Sequence, residues 1–202
     1  MPYAPRLIAI TDLTSCGQAD LLRRAEQLCR SSRPGSIMIQ LRDRELGVLA
    51  RLRLGRELAR ITGEHSQALS VNDRLDLALA IGTRGLHLGE SSVPAERVRE
   101  RFGARFWLTR AAHRPEACEP LGADAVLLSP VCSPRKGATS HGIDALARAC
   151  ELAGTPVYAL GGVSAENAKA CIDAGAAGVA VIGAWLACDS PGPLVAALGI
   201  AL

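Results

Sequence analysis

Three short stretches of the chain carry side chains that together could hold a polyanion. In Gln40-Leu41-Arg42-Asp43-Arg44 a glutamine and two arginines alternate at the end of an apolar run. A period of two puts all three on one face of an extended strand. Paired guanidiniums suit a phosphate or diphosphate, because each planar fork can donate two parallel hydrogen bonds. The plainer reading is a strand fraying into solvent, with its arginines paired to Asp43 and Glu45. In Val71-Asn72-Asp73-Arg74 an amide and a carboxylate close a second apolar run. Asp73 is a hard oxygen donor of the kind that holds Mg²⁺ alongside substrate phosphates. The plainer reading is a cap on the helix that follows. In Leu160-Gly161-Gly162-Val163-Ser164 two glycines separate an apolar run from a helix expected to begin near Ser164. They let backbone amides approach a phosphate, and a helix N-terminus adds a favourable dipole.

Weaker signals surround these three. The stretch Ser129 to Gly142, SPVCSPRKGATSHG, is rich in Ser, Pro and Gly and long enough for a mobile lid. Its Lys136 could reach an anion, although a loop lysine is usually just solvated. Among the histidines, His141 lies in this loop and is the first to test as an acid or base. His87 and His113 follow apolar runs and are the other candidates for a base.

Such residues need a frame that brings them together, and the patterning supplies one. Short apolar runs recur at Leu7–Thr11, Ser36–Leu41, Ala68–Val71, Gly85–Leu88, Arg105–Leu108, Ala125–Pro130, Pro156–Leu160 and Gly178–Ile182. Helix-period segments lie between and after them, at Asp20–Arg30, Leu46–Gly63, Leu75–Ile81, Ala95–Phe102, Pro115–Leu121, Ile143–Ala153, Ala165–Ala174 and Pro193–Leu202. Strands apolar on both faces belong in a parallel sheet covered by helices. Eight such repeats predict a single-domain (β/α)8 TIM barrel over residues 1–202, whose site lies at the C-terminal strand ends. An open doubly wound sheet would show a Gly-rich fingerprint after the first strand. Asp12-Leu13-Thr14-Ser15-Cys16-Gly17 is no such fingerprint. The loops after strands 7 and 8, with Gly161, Gly162 and Gly183, fall where this fold binds phosphate.

Composition narrows the function classes. With 202 residues and 49% hydrophobic content, the chain can bury a core without staples. The net charge of +3 is spread over Arg-rich helical segments, which argues against nucleic acid as a partner. Seven cysteines without C-x-x-C spacing argue for reduced thiols and a cytoplasmic location, not for a disulfide framework or zinc. The apolar run Ala176 to Cys188 is too short to span a bilayer and is broken by glycine.

Read together, these stretches resemble the thiamine phosphate synthase and TenI superfamily. The likeness runs through IAITD, QLRDREL, VNDRLDLALAIGTRGLHLG, GADAVLLSPV and PVYALGGVSAENAKACIDAGAAGVAVIGAW, in order and over nearly the whole chain. It implies an enzyme that joins hydroxymethylpyrimidine diphosphate to a thiazole phosphate and releases pyrophosphate, with Mg²⁺ as cofactor. Carried over residue by residue, Gln40, Arg42 and Arg44 meet the pyrimidine diphosphate, Asn72 touches it and Asp73 binds the metal. Ser133 and Lys136 of the strand-6 loop, with Gly161, Gly162, Ile182 and Gly183, complete the ligand contacts; Arg42, Lys136 and His141 are the catalytic candidates. Departures from the family pattern are visible. Synthases usually read Gln-Glu-Asp after HLG, whereas this chain reads Glu90-Ser91-Ser92, so Ser92 stands where a second metal-binding carboxylate is expected. Ala111 replaces a serine, and the strand-6 loop is one residue shorter. Such losses also occur in TenI-type thiazole tautomerases, which need no metal, although a tautomerase histidine falls at Pro130 here. A non-catalytic binder of phosphorylated ligands is the third reading. The resemblance also admits a homodimer.

Overall fold

The structure, a computed structural model, describes residues 4–132 and 139–202. Eight parallel strands close into a barrel in chain order: β1 Leu7–Ile10, β2 Ile37–Leu41, β3 Ala68–Asn72, β4 Gly85–Leu88, β5 Trp107–Ala112, β6 Ala125–Leu128, β7 Val157–Leu160 and β8 Gly178–Val181. The last strand pairs with the first, Leu7 opposite Val179 and Ala9 opposite Val181. The surrounding helices are α1 Gln18–Arg30, α2 Val48–Glu64, α3 Leu75–Ile81, α4 Ala95–Phe102, α5 Ile143–Leu152, α6 Ala168–Asp173, α7 Gly183–Leu186 and α8 Gly192–Ala197. No described helix is long and apolar enough to cross a membrane.

The expected barrel is present, with local differences. β5 begins two residues later than the apolar run and extends to Ala112. The helix expected over Pro115–Leu121 is a single 3-10 turn, Pro115–Ala117. Pro120 explains this, since the residue before a proline is disfavoured in helical conformation and the ring cannot donate to the ladder. The helix expected to open near Ser164 begins at Ala168.

Strand alternation sorts side chains into two layers. Leu7, Ile39, Val71, Leu86, Leu108, Val126, Ala159 and Val179 pack outward against the helices. Ile8, Ile10, Met38, Ala125, Leu127, Tyr158 and Ala180 form a separate cluster inside the barrel. The inner layer is chemically lopsided. Gln40, Ser70, Asn72, His87 and Thr109, all on β2 to β5, are buried polar residues. They share the parity of Met38, because Gln40 registers with Ser70, Asn72 with His87 and His87 with Thr109. The facing wall, from β6 round to β1, is lined by Leu127, Leu160, Ala180, Ile182 and Ile10.

Candidate active site

The C-terminal mouth is built around that polar wall. Gln40 Nε2 donates to Asn72 Oδ1 at 3.4 Å, which links the ends of β2 and β3. His87 Nδ1 and Thr109 Oγ1 lie 2.8 Å apart, which links β4 to β5. His87 is held neutral down to about pH 4, first because burial strips its solvent and next because Arg44 opposes a second positive charge; Asp73 acts in the other direction and Arg42 adds to the depression. Arg42, Arg44 and Asp73 therefore all lie within electrostatic reach of this one buried imidazole. Beneath Gln40, the Ser70 hydroxyl is buried and has no hydrogen-bond partner among the described residues.

The alternation in QLRDREL has a structural cause. β2 ends at Leu41, and Asp43 turns back toward β1. Its carboxylate accepts the Thr11 hydroxyl and, at 2.5 Å, the Leu13 N–H. The Thr11 hydroxyl oxygen in turn accepts the Arg42 N–H at 2.9 Å. Arg51 braces the following turn through the carbonyls of Arg44, at 2.7 Å, and Leu46, at 3.0 Å. Asp43 is thus a clamp and not an ion-pair partner. None of the ion pairs among the described residues engages Arg42 or Arg44, so the expected pairing with Asp43 and Glu45 falls, while Arg44 is exposed and Arg42 half-buried.

The helix-cap reading of Asn72-Asp73 falls as well. α3 starts at Leu75 behind Arg74, without a side-chain cap. Asn72 is spent on Gln40. Asp73 takes a left-handed backbone, with φ of 64°, while its N–H donates to the His87 carbonyl at 2.7 Å. Asp73 is exposed on the rim, and its carboxylate has no hydrogen-bond or ion-pair partner among the described residues.

On the opposite rim, Gly161 and Gly162 both have left-handed backbones, with φ of 92° and 70°. A Cβ on Gly161 would lie 2.8 Å from Pro130 Cα, so β6 and β7 approach too closely there for a side chain. Asn167 shapes the next turn, accepting the Ser164 N–H at 2.9 Å and donating to the Gly162 carbonyl at 3.0 Å. The Ser164 amide is therefore committed inside the turn. Ile182 packs toward the inner cluster. Gly183 opens α7, which is anchored by Trp185 Nε1 donating to the Ile10 carbonyl at 2.9 Å.

The remaining candidates divide. Ser133 and Lys136 lie outside the described residues. His141 Nε2 is 3.0 Å from the His113 carbonyl, which can only accept, so that nitrogen carries a proton and Nδ1 is the ring's acceptor when neutral. Sequence reasoning passed over Ser70, Thr109 and the Thr11–Asp43 clamp. Strand parity with Gln40 could have found Ser70, but nothing in the sequence shows that Asp43 turns toward β1.

A divalent ion at this mouth would meet few protein donors. No group of three or more described His, Cys, Asp or Glu residues could hold one. Ser92 Oγ accepts the Gly89 N–H at 2.8 Å within its own turn, and Glu90 is engaged by His113. Asp73 is a rim carboxylate without a partner among the described residues. This donor set fits a cation held by one carboxylate and by a ligand's own phosphate oxygens.

A cavity of about 900 Å³ opens at the other end of the barrel, where Ala68, Gly85 and Trp107 start their strands. Several of its polar side chains are internally employed. Gln67 bonds the backbone of Ile37, Ser32 and Arg33, and Asp124 bonds Arg99 and the Leu108 N–H.

Comparison with known proteins agrees with this geometry. The family model for thiamine monophosphate synthase matches residues 7–185. A putative thiamine-phosphate synthase of Geobacter sulfurreducens is 37% identical over 191 residues, covering 92% of this chain and 88% of that protein. The thiamine-phosphate synthase of Natronomonas pharaonis is 35% identical over 175 residues, covering 83% and 82%. Among solved structures, a thiamine phosphate pyrophosphorylase from Pyrococcus furiosus superposes with a TM-score of 0.84 at 25% identity, over 98% of this chain and 97% of that one. With the barrel closed and the family model matched along nearly its whole length, the chain belongs to the thiamine monophosphate synthase family.

Proposed function

We propose that this protein is a transferase of thiamine biosynthesis that couples hydroxymethylpyrimidine diphosphate to a thiazole phosphate, giving thiamine phosphate and pyrophosphate. The observation that carries the reading is the divided mouth. Arg42, Arg44 and Asp73 lie within electrostatic reach of a neutral His87 on one wall, and an apolar wall with Ile182 and the Gly161–Gly162 turn faces them.

In the coupling, the bond from the pyrimidine methylene to the diphosphate oxygen breaks, and its electron pair leaves with the diphosphate. The thiazole nitrogen then supplies the pair for the new carbon–nitrogen bond. This chemistry asks the protein to neutralise a departing anion and hold two rings in line. Arg42 and Arg44 take the diphosphate, with Lys136 and Ser133 of the β6 loop as further donors. The Gln40–Asn72 amide pair orients the pyrimidine end, and a neutral His87 keeps positive charge off the ring side. The amides of Gly161, Gly162 and Gly183 receive the thiazole phosphate, with the Ile182 side chain beside the ring. Asp73 would hold Mg²⁺ jointly with the diphosphate; when bound, that ion serves as a Lewis acid for the leaving group. No general base is required. The assembly is read as a cytoplasmic enzyme acting on these two small ligands.

The test is a coupling assay with both substrates, with and without Mg²⁺. Arg42→Ala should weaken diphosphate binding by at least tenfold, about the effect of removing a charged hydrogen-bond partner. Unchanged binding would return Arg42 to the surface. Isomerisation of the thiazole phosphate in EDTA without any coupling would replace the synthase reading by the tautomerase one.

A further inference from the structure

We propose that Glu90 is a positioning residue that ties the ends of β4, β5 and β6 into one rim and fixes where the chain returns after the β6 loop. Only its kinetic readout rests on the coupling reaction proposed above; the linkage itself stands on geometry.

Glu90 follows β4 by two residues. Its Oε1 accepts the backbone N–H of His113 at 2.9 Å, and its Oε2 lies 3.1 Å from His113 Nδ1. Both oxygens of the carboxylate are thus spent on one residue, the first after β5. A charged acceptor makes the stronger kind of hydrogen bond. The chain of contacts then continues: the His113 carbonyl accepts His141 Nε2–H at 3.0 Å. The His141 N–H donates to the Pro130 carbonyl at 2.9 Å, and the Gly142 N–H to the Val131 carbonyl at 2.9 Å. The outgoing side of the same loop is held separately, by Val131 N–H to the Leu160 carbonyl and Cys132 N–H to the Gly161 carbonyl, each at 2.9 Å. The rim bonds therefore run from β4 to β7, and Glu90 heads the run. At its own base, β4 offers the His87 carbonyl to the Asp73 N–H at 2.7 Å, so the β4 end adjoins the diphosphate side of the mouth.

The experiment compares wild type, Glu90→Ala and Glu90→Gln. The glutamine variant keeps an acceptor for the His113 N–H, whereas alanine removes it. Native-state hydrogen exchange at His113, His141 and Gly142 should run roughly three- to tenfold faster in Glu90→Ala and near the wild-type rate in Glu90→Gln. The half-exposed position of Glu90 leaves the core intact, so exchange at Leu86 and Leu108 should stay unchanged. In the coupling assay, Glu90→Ala should raise KM for the pyrimidine diphosphate by a similar factor with kcat nearly constant, and Glu90→Gln should restore it. Wild-type exchange rates at His141 and Gly142 in Glu90→Ala would overturn the linkage. Faster exchange with unaltered KM would overturn the positioning role. A wild-type chain without coupling activity would instead sink the functional reading, and the exchange comparison would still decide the linkage.

Discussion

At the scale of single residues, side chains are recruited in pairs across neighbouring strands, and a pair is more vulnerable than either member suggests. The Thr11 hydroxyl serves both the Arg42 N–H and the buried Asp43 carboxylate. Thr11→Val keeps the shape but leaves both groups short of a partner. A loss of about 2–4 kcal/mol in denaturant stability is expected, since unsatisfied buried groups cost more than a hydrogen bond contributes. Diphosphate affinity should fall with it, because Arg42 loses its backbone anchor. A stability change under 0.5 kcal/mol would show that Asp43 finds other donors. His87 gives a pH signature. Its folded value of about 4 lies below the ordinary 6.5, so the native state binds fewer protons than the unfolded chain between these values. Stability is therefore complete above about 6.5 and declines as pH falls toward 4, by roughly 2 kcal/mol at pH 5. His87→Asn should flatten this part of the urea-midpoint profile between pH 7 and 5. An unchanged slope in that variant would assign the dependence to other groups.

At the scale of elements, what matters is where each strand stops and what the turn behind it permits. Much of this could be read from sequence: α3 and α4 run over the predicted Leu75–Ile81 and Ala95–Phe102, and β4 over Gly85–Leu88. The Gly161-Gly162 turn was legible too, and the structure gives it a packing reason besides. No helix begins at Ser164 to offer a dipole. Gly161 is needed because the ends of β6 and β7 meet closely there, and both glycines have left-handed backbones. Gly161→Ala would place a methyl against Pro130 in a conformation that costs of order 1–3 kcal/mol for a residue with a side chain. A melting temperature lower by several degrees and weaker binding of thiazole phosphate are expected. Wild-type melting would mean that the turn relaxes without loss.

At the scale of the whole molecule, the barrel separates chemistry from support. The polar inner-layer residues of β2 to β5 lead to the C-terminal mouth, while bonds within the chain brace the N-terminal end. Tyr158, buried in the inner cluster against Trp107, donates its hydroxyl to the Pro5 carbonyl at 2.7 Å. Tyr158→Phe should cost about 1–2 kcal/mol in stability and leave KM for both substrates unaltered. A shift in KM would show that the two ends are mechanically coupled. The sequence by itself determined the eight repeats, the parallel barrel and the set of strand ends that meet. Apolar periodicity and turn residues act locally, and closure leaves those ends one common rim. Only the tertiary structure decided which neighbour each rim side chain chose: Asp43 took Thr11 over the arginines, Glu90 took His113, and Asn72 took Gln40 over a helix amide. Those choices depend on strand register and on groups tens of residues apart, and a carboxylate or amide gives the same local signal whichever partner it finds.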